Sequence, residues 1–428
     1  MIEKLKSVTL TVLILLSLLL SYLLAYSTPN YDPLPPSEYI SSELEGTKAK
    51  LEDLLFPDQI VLHFGNQQHT VLYPDSTSYS TIFESVKQRK MERFRKVTLN
   101  QERTNWDEIR EKQEGVEVRF RDGLPLSVLQ NTFQIKGDIP DDTELITRIW
   151  IFASSDKKSA ATYLFTDSSN TAFEVLGADF TAKDVENFTA IAGTNPPYAA
   201  ASGGEFYLPV NPIPATSYDF GYKEFPTEQL KSSLFADPSL TRNLKDRDGS
   251  QIYTDAKRGL QINQEKKWMK YTDPLAVTDS KNSIKENLDA GVQFINQHGG
   301  WNGTYSISKP QQQHAFSNQM FVFRQVYDAF PILTEQKEGY GAIHITLQKG
   351  VVSNYERSVV YSDLKIINQQ KTELIGGEAL NAKITNHPKR YNIVNVFPAY
   401  RPTLGVKTVN LSPVWAIEFK DGTYEFFR

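Results

Sequence analysis

Residues 8–26 read VTLTVLILLSLLLSYLLAY, nineteen consecutive positions without a charged side chain. As a helix rising about 1.5 Å per residue the run reaches ~28 Å, close to the ~30 Å hydrocarbon layer of a bilayer. Lys4 and Lys6 precede it, and the next charges after it are Asp32, Glu38, Glu43 and Glu45. Lysines on one flank and carboxylates on the other orient such a helix with its N-terminus in the cytoplasm. The expectation is a single-pass cell-membrane protein: a cytoplasmic tail at 1–7, a transmembrane helix at 8–26, an extracytoplasmic linker at 27–50 and an ectodomain outside. A cleaved signal peptide is the competing reading, with Ala25-Tyr26-Ser27 as a small-residue cleavage site, but the apolar core of such a peptide is usually ~7 to 15 residues long.

Ser17, Ser21 and Ala25 recur at every fourth position of the run, which places them on one face of the helix. Lipid offers little hydrophobic drive between helices, so association depends on close packing over small residues and on hydroxyl hydrogen bonds. These three residues are the candidate interface with a partner helix.

The chain has 428 residues, enough for two to four domains at roughly 100–200 residues each. Forty-six Lys and Arg against 51 Asp and Glu leave a net charge of -5, without the basic face a nucleic-acid partner requires. There is no cysteine, so disulfides, thiolate metal sites and lipidated-cysteine anchors are excluded.

Four prolines between Thr28 and Pro36 predict a stiff spacer. Residues 41–55 predict a short amphipathic helix. QIVLHF at 59–64 and TVLY at 70–73 flank Gly65-Asn66-Gln67 and predict a hairpin. Residues 79–97 carry Ile82, Phe83, Val86, Phe94 and Val97 at roughly helical spacing, and the helix read there presents Lys87, Arg89, Lys90, Arg93, Arg95 and Lys96 on its polar side. That basic surface is a candidate for anionic wall polymers or for an acidic partner face. Strands are expected at 116–120, 146–153 and 161–165, a helix at 184–192, and the end of an N-terminal ectodomain spanning 51–197 near Asn195-Pro196-Pro197.

Beyond it, IYTDAKRGL at 252–260 can be laid on IHITLQKGV at 343–351, repeating Ile, Gly and a later Asn at an offset of 91. Helices are expected after each copy, at 283–297 and 377–386. This predicts two α+β modules of related topology, a middle domain at 198–312 and a C-terminal domain at 313–428. The fold class is α+β, with one transmembrane helix and an elongated multi-domain ectodomain.

Chemistry is hard to find. No P-loop, G-x-S-x-G elbow or H-E-x-x-H is present. His63 and His69 are expected on facing strands of the hairpin, as a metal pair or, more ordinarily, as packed or merely exposed side chains. Asp246-Arg247-Asp248-Gly249 lacks the first and twelfth calcium ligands and reads as a turn. No catalytic residue, cofactor or metal ligand is expected. The alternatives to a binding or regulatory role are a wall-polymer binding module and, less directly, a wall hydrolase built on unrecognised carboxylates.

The order of KSVTLTVLILLSLLLSYLL, PDQIVLHF, GEFYLPV at 204–210, IYTDAKRGLQIN, KKWMKYTDP, FINQHGGW, FVFRQVYDAFPIL and VNLSPVWAIEFKDG resembles the YycH family, over essentially the whole chain. The resemblance implies a three-domain α+β ectodomain whose later domains are similar to each other. It also implies a complex with the sensor histidine kinase WalK (YycG) and a YycI-like protein, in which transmembrane helices set kinase activity and so control cell-wall metabolism. It supplies no catalytic residues.

Overall fold

The computed structural model describes residues 2–26, 44–100, 104–137, 144–154, 159–274, 283–312, 318–336 and 338–428. The spacer expected at 28–36 lies outside them. The chain forms two compact units, Met1–Tyr39 and Ile40–Arg428. In the first, α1 (Ile2–Tyr26) is a continuous helix of 25 residues with Leu10, Leu13, Leu16 and Leu20 exposed. Among the described residues no helix is long and apolar enough to cross a membrane. The span read at 8–26 therefore rests on the sequence and is taken up below as a proposal.

The second unit begins with a segment expected to be helical and found otherwise. Residues 44–50 are irregular, and only Leu51–Leu54 close a single 3-10 turn. Distant contacts override the local pattern. Thr47 and Trp301 exchange backbone hydrogen bonds of 2.9 Å in both directions, and Asn296 Oδ1 accepts from the Ala49 N–H at 2.9 Å. Gly46 lies directly on the Gly299–Gly300 backbone, where a side chain would not fit.

The following chain supplies β1 (Gln59–Phe64), β2 (His69–Leu72), α2 (Thr77–Lys87), β3 (Lys90–Thr98), α3 (Trp106–Lys112), β4 (Glu114–Pro125), α4 (Leu126–Leu129), β5 (Gln134–Lys136), β6 (Leu145–Ala153), β7 (Ala160–Thr166), β8 (Thr171–Ala178), α5 (Ala182–Ala192), β9 (Tyr198–Ala201) and β10 (Phe206–Pro209). The strands form one ten-stranded sheet in the order β10-β9-β2-β1-β4-β6-β7-β8-β3-β5. The hairpin at Gly65-Asn66-Gln67 is present, all three residues taking positive φ. Ile60, Leu62, Val116, Val118, Ile149 and Ile151 are fully buried and share a core with Ile82 and Val86 of α2 and Val185 of α5. Each such side chain contributes about 1.5–3 kcal/mol by leaving water.

The long helix expected at 79–97 is corrected. α2 stops at Lys87, and β3 pairs antiparallel with β8. Arg93, at φ 58°, breaks the strand's alternation. Met91 and Phe94, three residues apart, consequently reach the same core, while Val97 joins a different cluster with Trp150 and Phe165. Apolar residues three apart then imitate a helical stripe.

The rest of the chain forms β11 (Ile213–Glu224), α6 (Thr227–Leu234), β12 (Arg242–Lys245), β13 (Gln251–Thr254), β14 (Gly259–Asn263), β15 (Trp268–Thr272), α7 (Ile284–Gln297), β16 (Thr304–Gln312), β17 (Gln319–Tyr327), β18 (Phe330–Pro331), β19 (Ala342–Gln348), β20 (Val351–Ser358), β21 (Val360–Leu374), α8 (Gly377–Thr385), β22 (Ile393–Leu404), β23 (Thr408–Phe419) and β24 (Tyr424–Phe427). A nine-stranded sheet runs β12-β13-β14-β15-β20-β19-β17-β16, with β18 on β17. A five-stranded sheet runs β21-β11-β23-β22, with β24 on β23.

The sheets do not divide at 312/313, where the two modules were expected to meet. β17, β19 and β20 complete the sheet that β12–β16 begin, and β11 pairs with β21 and β23. The supposed copies are neighbours in one sheet, β15 pairing with β20. Their aligned glycines also differ in role: Gly350 sits with Lys349 in a tight turn at φ 82° and 52°, whereas Gly259 starts a strand. Residues 246–249 do form the expected turn, the Gly249 N–H donating to the Asp246 carbonyl at 3.1 Å.

Candidate functional site

β1, β2 and β4 lie side by side, and the hairpin register sets His63 opposite His69. The two Nδ1 atoms are 2.9 Å apart, so one ring donates and the other accepts. His63 Nε2 meets Glu117 Oε1 at 3.0 Å, and Arg119 Nε donates to Glu117 Oε2 at 2.7 Å. Arg119 then donates through both terminal nitrogens, at 2.8 Å each, to the carbonyls of Gly204 and Glu205. Its guanidinium also lies 4.9 Å from the Tyr207 ring centroid.

Burial dominates the electrostatics of this network. It lowers the pKa of His63 against the pull of Glu117, and lowers His69 to about 4, with His63 adding to the effect. For Glu117 burial acts upward, but Arg119 and His63 outweigh it and hold the carboxyl well below its usual range. At neutral pH the cluster is two neutral imidazoles and one ion pair. His63 and Glu117 are fully buried, so no substrate reaches them. The histidine nitrogens that would face a metal are bonded to each other, and among the described residues no group of three His, Cys, Asp or Glu is placed to hold one. The network acts as a strut that clamps residues 204–205 onto the sheet.

Gly204 makes the clamp testable. Its φ is +82°, and an added Cβ would collide with the Arg110 guanidinium. Gly204→Ala is expected to destabilise the protein by about 2 kcal/mol. An unchanged thermal midpoint would show that this loop is not held.

A cleft of about 920 Å³ opens beside the strut, between strands of all three sheets. One wall carries Arg121, which pairs with Asp58 at 2.9 Å and lies 3.6 Å from the Phe397 ring centroid. Glu418, Tyr424 and Arg324 also line the cleft, with Asp122 next to Arg121 on its strand. Burial, then Asp122 and Asp58, push Glu418 up to about 7, while Arg121 and Tyr424 act downward.

The residues singled out from the sequence lie elsewhere. Ser17 and Ser21 are exposed along α1, and Ala25 falls in its last turn. The six cations do not share a helix face: Lys87 ends α2, and Lys90, Arg93, Arg95 and Lys96 are on β3. Lys87 pairs with Glu84 at 2.7 Å, Arg89 with Asp184, Lys90 with Glu92 at 2.6 Å, Arg95 with Glu174 at 2.6 Å and Lys96 with Glu144 at 2.8 Å. A polyanion would have to displace these carboxylates. Glu117, Arg119 and Arg148 escaped notice, although the alternating charges of VEVRF and the lone arginine within the apolar ITRIW mark a strand face that is polar yet internal.

Fold and site define a class: an α+β protein of three antiparallel-rich sheets, with a buried histidine–carboxylate–guanidinium strut beside a polar cleft. The chain belongs to the YycH family, whose N-terminal domain model matches residues 3–195 and whose C-terminal domain model matches residues 204–426. It is 21% identical over 437 residues to the two-component system WalR/WalK regulatory protein YycH of Bacillus subtilis (strain 168), covering 97% of this chain and 94% of that one. The fold is that of the crystal structure of YycH from Bacillus subtilis, with a TM-score of 0.69 and 19% identity over 90% of this chain and 98% of the other.

Proposed function

We propose that this chain is a non-catalytic accessory regulator of a WalK-type sensor histidine kinase controlling cell-wall metabolism, acting with a YycI-like partner. The observation that carries the reading is the match of both halves to YycH domain models, together with a Bacillus subtilis relative that is called a WalR/WalK regulatory protein. The uncharged run at 8–26 is its membrane anchor, with Lys4 and Lys6 in the cytoplasm and residues after Tyr26 outside. An anchor alters kinase output only if it binds the kinase's two transmembrane arrangements unequally. Ser17, Ser21 and Ala25 supply the face for that contact.

Co-purification from membranes with the kinase and the YycI-like protein tests this. Replacing Ser17, Ser21 and Ala25 together by Leu removes hydroxyl bonds worth about 0.6–2 kcal/mol each, so retention of the kinase should fall about three- to thirtyfold per bond. Unchanged retention and unchanged kinase output would remove that face from the mechanism. If the intact chain captures neither protein, the regulatory reading fails.

A further inference from the structure

The cations lining the cleft differ in how they are held. Arg119 is held by the contacts given above, Arg121 pairs with Asp58 although its Nε is buried without a hydrogen-bond partner, and Lys270 pairs with Glu356 at 3.2 Å. Among the described residues Arg148 has no ion pair that close. It stands on β6 in register with Arg119 and with Phe165 of β7, and its guanidinium sits 4.5 Å from the Phe165 ring centroid. Its one ion pair among the described residues is a 4.0 Å contact to Glu205, whose side chain is 62% exposed. Its Nε is buried without a hydrogen-bond partner, and 18% of its side chain remains open. Burial outweighs the pull of Glu117 and holds its pKa below the usual guanidinium value.

A guanidinium withdrawn from water is costly unless paired, and its planar fork of donors matches carboxylate and phosphate oxygens. The space in front of Arg148 suits such a guest. Thr147, Thr166 and Ser169 also line the cleft, as do the apolar Met320 and Val322. We propose that the cleft is a binding site for a small anion that presents a carboxylate or phosphate group to Arg148. The site stands on its own geometry and goes beyond the regulatory reading by giving the folded region a chemical input.

The test is calorimetric titration of the detergent-solubilised full chain with citrate and, separately, with inorganic phosphate at constant ionic strength. Saturable binding of at least one ion is expected, and Arg148→Gln should weaken it about ten- to hundredfold, as loss of a charge-assisted hydrogen bond does. Binding of citrate alone assigns a carboxylate, and of phosphate alone a phosphate. As a readout independent of the variant's folding, the wild-type chain is also treated with phenylglyoxal and Arg148 modification read by peptide mass spectrometry, where the bound ion should protect it. No saturable binding of either ion, wild-type affinity in a folded Arg148→Gln, or no protection of Arg148 overturns the proposal.

Discussion

Arg119→Met is expected to lower the free energy of unfolding by about 3–5 kcal/mol, the usual result of removing one partner from a buried ion pair. Glu117 is fully buried and would keep only neutral His63, while the carbonyls of Gly204 and Glu205 would lose their donors. Denaturant unfolding followed by tryptophan fluorescence reads the loss. Arg119→Met combined with Glu117→Leu should recover much of it, because apolar replacement of a whole buried pair is often neutral. Recovery stays incomplete because His63 Nε2 then lacks its partner. A single variant within about 1 kcal/mol of wild type would mean that the strut bears no stability, since exposed pairs cost that little.

Glu418→Gln is expected to change how stability depends on pH. The folded carboxyl titrates at about 7 and the unfolded one near 4.5, so folding takes up a proton between these values. The acid form's stabilisation is complete below about 4.5 and lost as pH rises through about 7, a difference of about 3 kcal/mol. The glutamine variant should lack that slope and exceed wild type at pH 8, relative to their difference at pH 5. His69 acts the other way, since its folded pKa of about 4 lies under its unfolded 6.5 and stability falls as pH drops between them. Subtracting the two unfolding curves isolates Glu418. Parallel curves across pH 5–8 would place its titration outside the cleft chemistry described.

Elements whose pattern is local were legible. The 59–73 hairpin announces itself through Gly65-Asn66-Gln67, and α7 through Ile284, Leu288, Val292 and Ile295, all buried on one stripe. Elements set by distant partners were not. Residues 44–50 surrender a helical pattern to Trp301 and Asn296, more than two hundred residues away, and β3 disguises itself because Arg93 turns Phe94 to the face that Met91 uses. The interleaving of β11 with β21–β23 follows from hydrogen bonds that no repeat pattern records. The strut was half visible: the spacing of His63 and His69 suggested their meeting, but Glu117 and Arg119 went unread, and strand pairing puts them inside.

The segment at 44–50 also defines where a mechanical load enters. It precedes the ten-stranded sheet in sequence, yet it is fastened elsewhere: Thr47 to Trp301, Ala49 to Asn296 of α7, and Glu45 to Lys223 of β11 and Tyr361 of β21 in the five-stranded sheet. Tension applied through the N-terminus would meet those bonds before it reached β1. Pulling would therefore stress residues 296–302, Lys223 and the start of β21 first, so that parts of the chain distant in sequence feel tension before β1 does.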